Sequence, residues 1–225
     1  MKLGLYGGAF NPIHRCHLVV AETARTRLGL DRVLFIPTGD PPHKPPSELM
    51  PAAHRLEMVR LAIAPFSYFQ LSDIETGRAA KSYTIDSVRT LRASHPADTR
   101  FIFIIGLDAF ADIASWREPE RLLELCDFAV VSRPGCLFKS LEKLPMLGIT
   151  DVAALERLDG GRAEAQEIRL KGGTSLWGLP IPPCNASAQD IRKRLTQRQS
   201  LENLLPAGVE SYILRHNLFG GGAPQ

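Results

Sequence analysis

The chain predicts an α/β fold: a doubly wound parallel sheet with helices on both faces and a short C-terminal helical segment. Three observations carry this. Short apolar runs of strand length alternate with stretches whose apolar residues recur at helical spacing. The first strand-like run passes into the first helical stretch through the glycine turn at Gly7 and Gly8. The chemically suggestive segments each follow a strand end, where ligands of such sheets bind.

Taken in order, Lys2 to Tyr6 is strand one and His14 to Leu28 is a helix, with Leu18, Val19, Ala21, Ala24 and Leu28 on its apolar face. That helix is expected to begin near Pro12 to His14, where proline loses nothing, and to stop at Gly29. Arg32 to Pro37 is a buried strand. Thr38 to Pro46 is a loop stiffened by four prolines, which hold His43 and Lys44 at fixed positions. A helix over Ala52 to Ala64, a strand over Tyr68 to Ile74 and a helix over Thr84 to Ser94 follow. Arg100 to Ile105 is a strongly apolar strand, Gly106-Leu107-Asp108 opens a short helix ending near Trp116, and Asp127 to Ser132 is the fifth strand. Residues 136 to 165 are the least readable part: Ala153 to Leu158 fits a short helix closed by Gly160 and Gly161. Glu167 to Leu170 fits a last strand, and Leu179 to Pro183 an extended run bounded by proline. Ser187 is a sound N-cap for the helix after it. The final helix runs from Ala207 to about His216. One domain is expected over 1–219, its helical part over about 187–219, with a frayed tail at 220–225.

A length of 225 residues, 44% apolar and 23% charged, suits one substantial globular domain. A net charge of +3 without clustered Lys and Arg argues against a nucleic-acid partner and fits small anionic substrates. No apolar run reaches the ~20 residues of a membrane helix, so no membrane partner is expected. The opening residues lack the apolar core of a signal peptide. The four cysteines, Cys16, Cys126, Cys136 and Cys184, form no Cys-x-x-Cys pair and no regular framework. Reduced thiols and a cytoplasmic location are therefore expected. Zinc on His14, Cys16 and His17 would have three near-consecutive ligands and no evident fourth, so no metal site is assigned.

The stretch from Gly7 to His17 is the chemical centre. Its glycines let backbone approach a ligand closely. The helix start presents unpaired N–H groups and a positive dipole end, which suit phosphate. His14 and His17, three apart, leave one face of the first turn. A bare His-x-x-His is more often a pair of surface histidines; the strand and turn before it favour a polyphosphate site.

The pattern Gly-x-Phe-x-Pro-x-His-x-x-His over Gly8 to His17 resembles the signature of nucleotidyltransferases, and in part the His-x-Gly-His motif of class I aminoacyl-tRNA synthetases. Cys16 stands where bacterial members commonly have glycine. Further segments resemble bacterial nicotinate-nucleotide adenylyltransferases, in that family's order: Pro41 to Lys44, Ser82 to Asp86, Ile105 to Phe110, Trp116-Arg117, Ser132 to Gly135, Ser187 to Arg192, and Leu205 to His216. Gln189 departs from the threonine expected there.

The resemblance implies a Rossmann-like fold and transfer of AMP from ATP to nicotinate mononucleotide, with Mg²⁺ accompanying ATP. It implies His14, His17, Lys44 and Arg192 as catalytic cations and donors. It places ATP on Gly7, Gly8, Ala9, Phe10, His14, His17, Gly106, Asp108, Ser187, Ile191 and Arg192. It places the mononucleotide on Lys44, Tyr83, Thr84, Trp116, Arg117 and Arg133. A homo-oligomer is left open. Two other readings compete: the same chemistry on nicotinamide mononucleotide or phosphopantetheine, and a non-catalytic nucleotide binder. Taken singly, Trp116 could be partial core, Asp108 a helix cap, and Arg133 and Arg192 solvated cations.

Overall fold

The computed structural model describes residues 1–40, 49–78 and 80–220. Strand β1 (Lys2–Gly8) leads through a turn to α1 (Arg15–Leu28), then β2 (Arg32–Pro37), α2 (Ala52–Ile63), β3 (Phe69–Leu71) and α3 (Thr84–Ala93). Next come β4 (Arg100–Gly106), α4 (Leu107–Ala111), α5 (Pro119–Leu125), β5 (Asp127–Val131) and α6 (Val152–Asp159). The chain closes with β6 (Gln166–Arg169), β7 (Ser175–Leu179), α7 (Ala188–Thr196) and α8 (Ala207–Arg215).

The strands form a seven-stranded sheet in the order β3-β2-β1-β4-β5-β7-β6. The order reverses between β1 and β4, which run parallel with Tyr6 beside Ile104. Such a reversal is where open α/β sheets receive ligands. β4–β5 and β5–β7 are also parallel, but β6 runs antiparallel to β7, so the all-parallel expectation fails at this edge. The cause is a short hairpin: Leu170 N–H donates to Thr174 O, and Gly173 takes φ +87°. A turn this tight cannot make the long crossover a parallel pair needs.

The chain divides into two compact units, Met1–Gly7 with Ala21–Val33 and Tyr83–Pro182, and Gly8–Val20 with Leu34–Ser82 and the chain from Pro183 onward. The core of the first unit includes Leu5, Ile104, Phe128, Val130 and Leu176, each 0% exposed. That of the second includes Ile13, Phe35, Met58, Val59, Ile191, Val209 and Ile213, also 0% exposed. These are the continuous apolar runs and helical stripes that burial on two sides demands.

Several local expectations change. α1 begins at Arg15, just past the expected Pro12 to His14, because Asn11 and Pro12 form the turn ahead of the helix. The third strand shrinks to Phe69–Leu71. α5 and β7 are elements the sequence reading lacks, and residues 138–143 and 145–147 form 3-10 turns. The cysteine expectation is overturned as well. Cys16 and Cys184 form a disulfide with Cα atoms 5.7 Å apart, while Cys126 is buried and free and Cys136 half-buried and free. Among the described residues no helix is long and apolar enough to cross a membrane.

Candidate active site

The second unit gathers the histidines, Ser187 and Arg192 at the start of α1. The Gly8 carbonyl accepts from Thr38 N–H at 2.9 Å. A Cβ on Gly8 would come within 3.2 Å of the Phe10 ring, so a larger residue there needs that ring to give. Phe10 has φ +46°, and its side chain is buried, edge-on to the His17 ring at 5.1 Å. Phe10 and Ala9 therefore differ in what they offer: the former only backbone, the latter a half-buried position.

His14 is the residue before α1 and His17 the third residue of that helix. The His14 N–H donates to His17 Nδ1 at 3.1 Å, and the His17 N–H donates to the His14 carbonyl at 3.0 Å. The first bond is one half of a capping box, with imidazole in the place usually held by Glu or Gln; the second is a backbone turn. Because Nδ1 accepts, the ring proton sits on Nε2, which remains a donor. The two rings lie 3.8 Å apart between centroids, His14 buried and His17 half-buried. Of the first three N–H groups of α1 two are therefore used, that of His17 and that of Arg15, which bonds the Leu204 carbonyl at 3.0 Å.

Ser187 caps α7, its Oγ accepting from Asp190 N–H at 3.1 Å, as its N-cap position predicts. Arg192, on the same helix, donates from Nη1 to the Asn11 carbonyl at 2.7 Å. So the guanidinium is anchored on the turn before α1 and is not a solvated cation. Ile191 is 0% exposed and belongs to the core, and its N–H donates to the Ser187 carbonyl at 3.0 Å.

One residue escaped the sequence reading. Arg55 is 2% exposed and donates to three carbonyls: Met50 at 2.8 Å, Ala9 at 3.0 Å and Gly39 at 3.4 Å. Burial pushes its guanidinium below the ordinary arginine range, and nearby Glu75 partly restores it. Its role is to fix the Ala9 turn. The signal was present: Arg55 shares a helical stripe with Met58, Val59 and Ala62, an apolar face where an unpaired cation has no place.

The first unit holds the other group. Gly7 ends its β1 segment, and a Cβ there would lie 3.2 Å from Phe103 Cζ. Gly106 ends β4 and caps α4, so Asp108 is not that cap. A Cβ on Gly106 would collide with Asp108 Oδ1 and lie 2.6 Å from Arg133 Nε. Asp108 and Arg133 form a half-exposed ion pair at 3.4 Å. Beside them burial pushes the Tyr6 hydroxyl above the ordinary tyrosine range, with Arg133 opposing and Asp108 adding.

Trp116 is half-buried and meets Phe103 edge-on at 6.4 Å between centroids, with an interplanar angle of 89°. Its own N–H is used on Ile113 O at 3.0 Å, which ends the 3-10 turn before it. Tyr83 precedes α3 in extended conformation, and no side chain caps the helix that Thr84 begins. The first N–H groups of that helix suit a carboxylate. The Arg117 guanidinium covers the Tyr83 ring at 4.7 Å and pairs with Asp86 at 3.9 Å. Lys44 and His43 lie outside the described residues. Among the described residues no cluster of three or more His, Cys, Asp or Glu is placed to hold a metal ion.

The cytidylyltransferase-like family model matches residues 5–194. A protein of Geotalea daltonii named "Probable nicotinate-nucleotide adenylyltransferase" is 40% identical over 222 residues, covering 99% of this chain and 100% of its own. One of the same name from Citrifermentans bemidjiense is 41% identical over 219 residues, covering 97% and 98%. Among solved structures, "Plasmodium falciparum nicotinic acid mononucleotide adenylyltransferase complexed with NaAD" superposes with a TM-score of 0.74 over 99% of each chain. At 21% identity that likeness is one of fold.

Proposed function

Because this chain belongs to the nicotinate-nucleotide adenylyltransferases of the cytidylyltransferase-like family, we propose that it transfers AMP from ATP to nicotinate mononucleotide. The products are nicotinate adenine dinucleotide and pyrophosphate, a step of NAD biosynthesis. A mononucleotide phosphate oxygen attacks the α-phosphorus in line. The new O–P bond forms as the bond to the bridging oxygen of pyrophosphate breaks. The attacking oxygen is already anionic at neutral pH, so no general base is required. The barrier is repulsion between anions, lowered by fixed donors and alignment.

The observation that carries this reading is the His14–His17 cap at 3.1 Å. It holds Nε2–H of His17 as a donor that need not reorient when charge builds on the α-phosphate. His14 and the start of α1 bind the neighbouring phosphates. Lys44 and Arg192 supply cationic character, and Ser187 a hydrogen bond to departing pyrophosphate. The backbone of Gly7, Gly8, Ala9, Phe10 and Ile191 borders the nucleotide, Gly106 admits the adenosine, and Asp108 takes a ribose hydroxyl. Mg²⁺ would enter with ATP as part of the substrate and would supply charge neutralisation on its phosphates.

For the second substrate, Trp116 offers a flat face to the pyridine ring. The α3 start at Thr84 and the backbone after Trp116 supply N–H donors to the nicotinate carboxylate. Tyr83, Arg117 and Arg133 complete the lining. Donors facing a carboxylate discriminate against an amide, whose NH₂ would oppose them. The protein acts as one nucleotidyltransferase domain over 1–219 in the cytoplasm, on small molecules, with no nucleic-acid or membrane partner. Incubation with MgATP and nicotinate mononucleotide, followed by mass detection of the dinucleotide and assay of pyrophosphate, tests it. Intact substrates after prolonged incubation would refute it.

A further inference from the structure

We propose that Cys16 and Cys184 form a reversible thiol–disulfide site that sets the affinity for ATP, an inference resting on the adenylyl-transfer reading above. Cys16 is the second residue of α1 and lies between His14 and His17 in sequence. Cys184 lies three residues before Ser187, the cap of α7, in a stretch from Pro183 to Ser187 with no regular secondary structure. The disulfide therefore ties the approach to α7 onto the first turn of α1. A second link from α7 to this turn, Arg192 to the Asn11 carbonyl at 2.7 Å, is non-covalent.

The two sulfurs are placed unequally, and the asymmetry favours exchange in one direction. Cys184 is exposed, so its sulfur is open to an attacking thiolate. Cys16 is 7% exposed, sits in the first turn of a helix, and its Sγ accepts from the Ala186 N–H at 3.3 Å. Both the helix end and that N–H stabilise a thiolate leaving from Cys16. A dithiol reductant attacks Cys184 Sγ, and the Cys16–Cys184 bond breaks, releasing the Cys16 thiolate. The reductant's second thiol then resolves the mixed disulfide. Two electrons and two protons pass to the protein, and the reductant leaves as its disulfide. A disulfide oxidant reverses the sequence.

Reduction frees the stretch before α7 and loosens the hold on Ser187 and Arg192. Binding ATP must then order this stretch again. Ordering even one residue's backbone weakens binding roughly tenfold, so the KM for ATP should rise by about that factor. The KM for nicotinate mononucleotide should change little.

The test uses the full chain in two states, treated with oxidised glutathione or with reduced dithiothreitol. Alkylation under denaturing conditions should block two of the four cysteines in the oxidised state, with the Cys16 and Cys184 peptides recovered joined, and all four in the reduced state. Calorimetry with MgATP and steady-state KM should both show the weaker ATP affinity on reduction. Cys184→Ser should match the reduced wild type and ignore either reagent. Four blocked thiols after oxidation, or equal ATP affinity in the two states, would overturn the proposal; the wild-type comparison stands even if the variant misfolds. Absence of pyrophosphate in both states would instead refute adenylyl transfer, leaving peptide mapping and calorimetry to judge the redox site.

Discussion

The backbone N–H of His14 donates to Nδ1 of His17 at 3.1 Å, so a single hydrogen bond both caps α1 and fixes which ring nitrogen of His17 carries its proton. The consequence reaches function directly. A ring held by its own helix start meets the growing charge on phosphate without first being ordered.

His17→Ala should therefore lower kcat by roughly 100-fold to 1000-fold, the range found for removing one preorganised donor. The KM for ATP should move little, since the contact strengthens mainly in the transition state. Steady-state kinetics with ATP varied will show whether the loss falls on kcat. A loss confined to KM would mean that His17 binds but does not stabilise.

Trp116→Ala should raise the KM for nicotinate mononucleotide by about tenfold, the worth of roughly one stacking contact. Its edge-on partner Phe103 stays in place, so the fold should survive. An unchanged KM removes the stacking role.

Gly106→Ala places a methyl group against Asp108 and Arg133. We expect the ion pair to be displaced and the KM for ATP to rise, while the unfolding midpoint shifts little because the pair is half exposed. Crystals of the variant with Asp108 and Arg133 unmoved would contradict this.

Arg55→Met should destabilise the protein by about 3 kcal/mol, because three carbonyls lose their donor and Glu75 loses its nearby cation. Arg55→Lys should rescue little, since an ammonium cannot span three carbonyls as the planar fork does. Urea unfolding at neutral pH measures both.

Acid should weaken the fold in a defined direction. Hydrogen bonds from Arg60 to Glu57 and from Arg89 to Glu118 hold both carboxyls below the ordinary 4.5. A depressed carboxyl contributes stability above its unfolded value and loses it as pH falls through its folded value. The contribution of these two pairs to the thermal midpoint should be constant down to about 4.5 and decline below, an effect that the double variant Glu57→Gln, Glu118→Gln should remove. A rise on acidification would contradict the assignment.

Much of this was legible from residues alone, and the exceptions have physical causes. β1, β2, β4 and β5 are continuous apolar runs, as strands covered on both faces must be. β7 was missed because Ser175-Leu176-Trp177-Gly178-Leu179 contains a glycine and follows Gly172 and Gly173, which read as loop. α5 was missed because its seven residues follow the charged run Arg117-Glu118 and give too few turns for a period to appear. In the candidate site, Ser187 was readable as a cap because capping is local. Cys16 with Cys184 and Arg55 with Ala9 were not, since each link joins residues far apart in sequence. Lys44 lies outside the described residues, so its part rests on sequence alone.

The most direct test compares the two mononucleotides side by side, with MgATP saturating and pyrophosphate release as the signal. The account predicts turnover with nicotinate mononucleotide at a kcat/KM at least roughly 100-fold above that with the amide, the discrimination expected when buried donors lose their partner. Equal turnover, preference for the amide, or no pyrophosphate from either would contradict it.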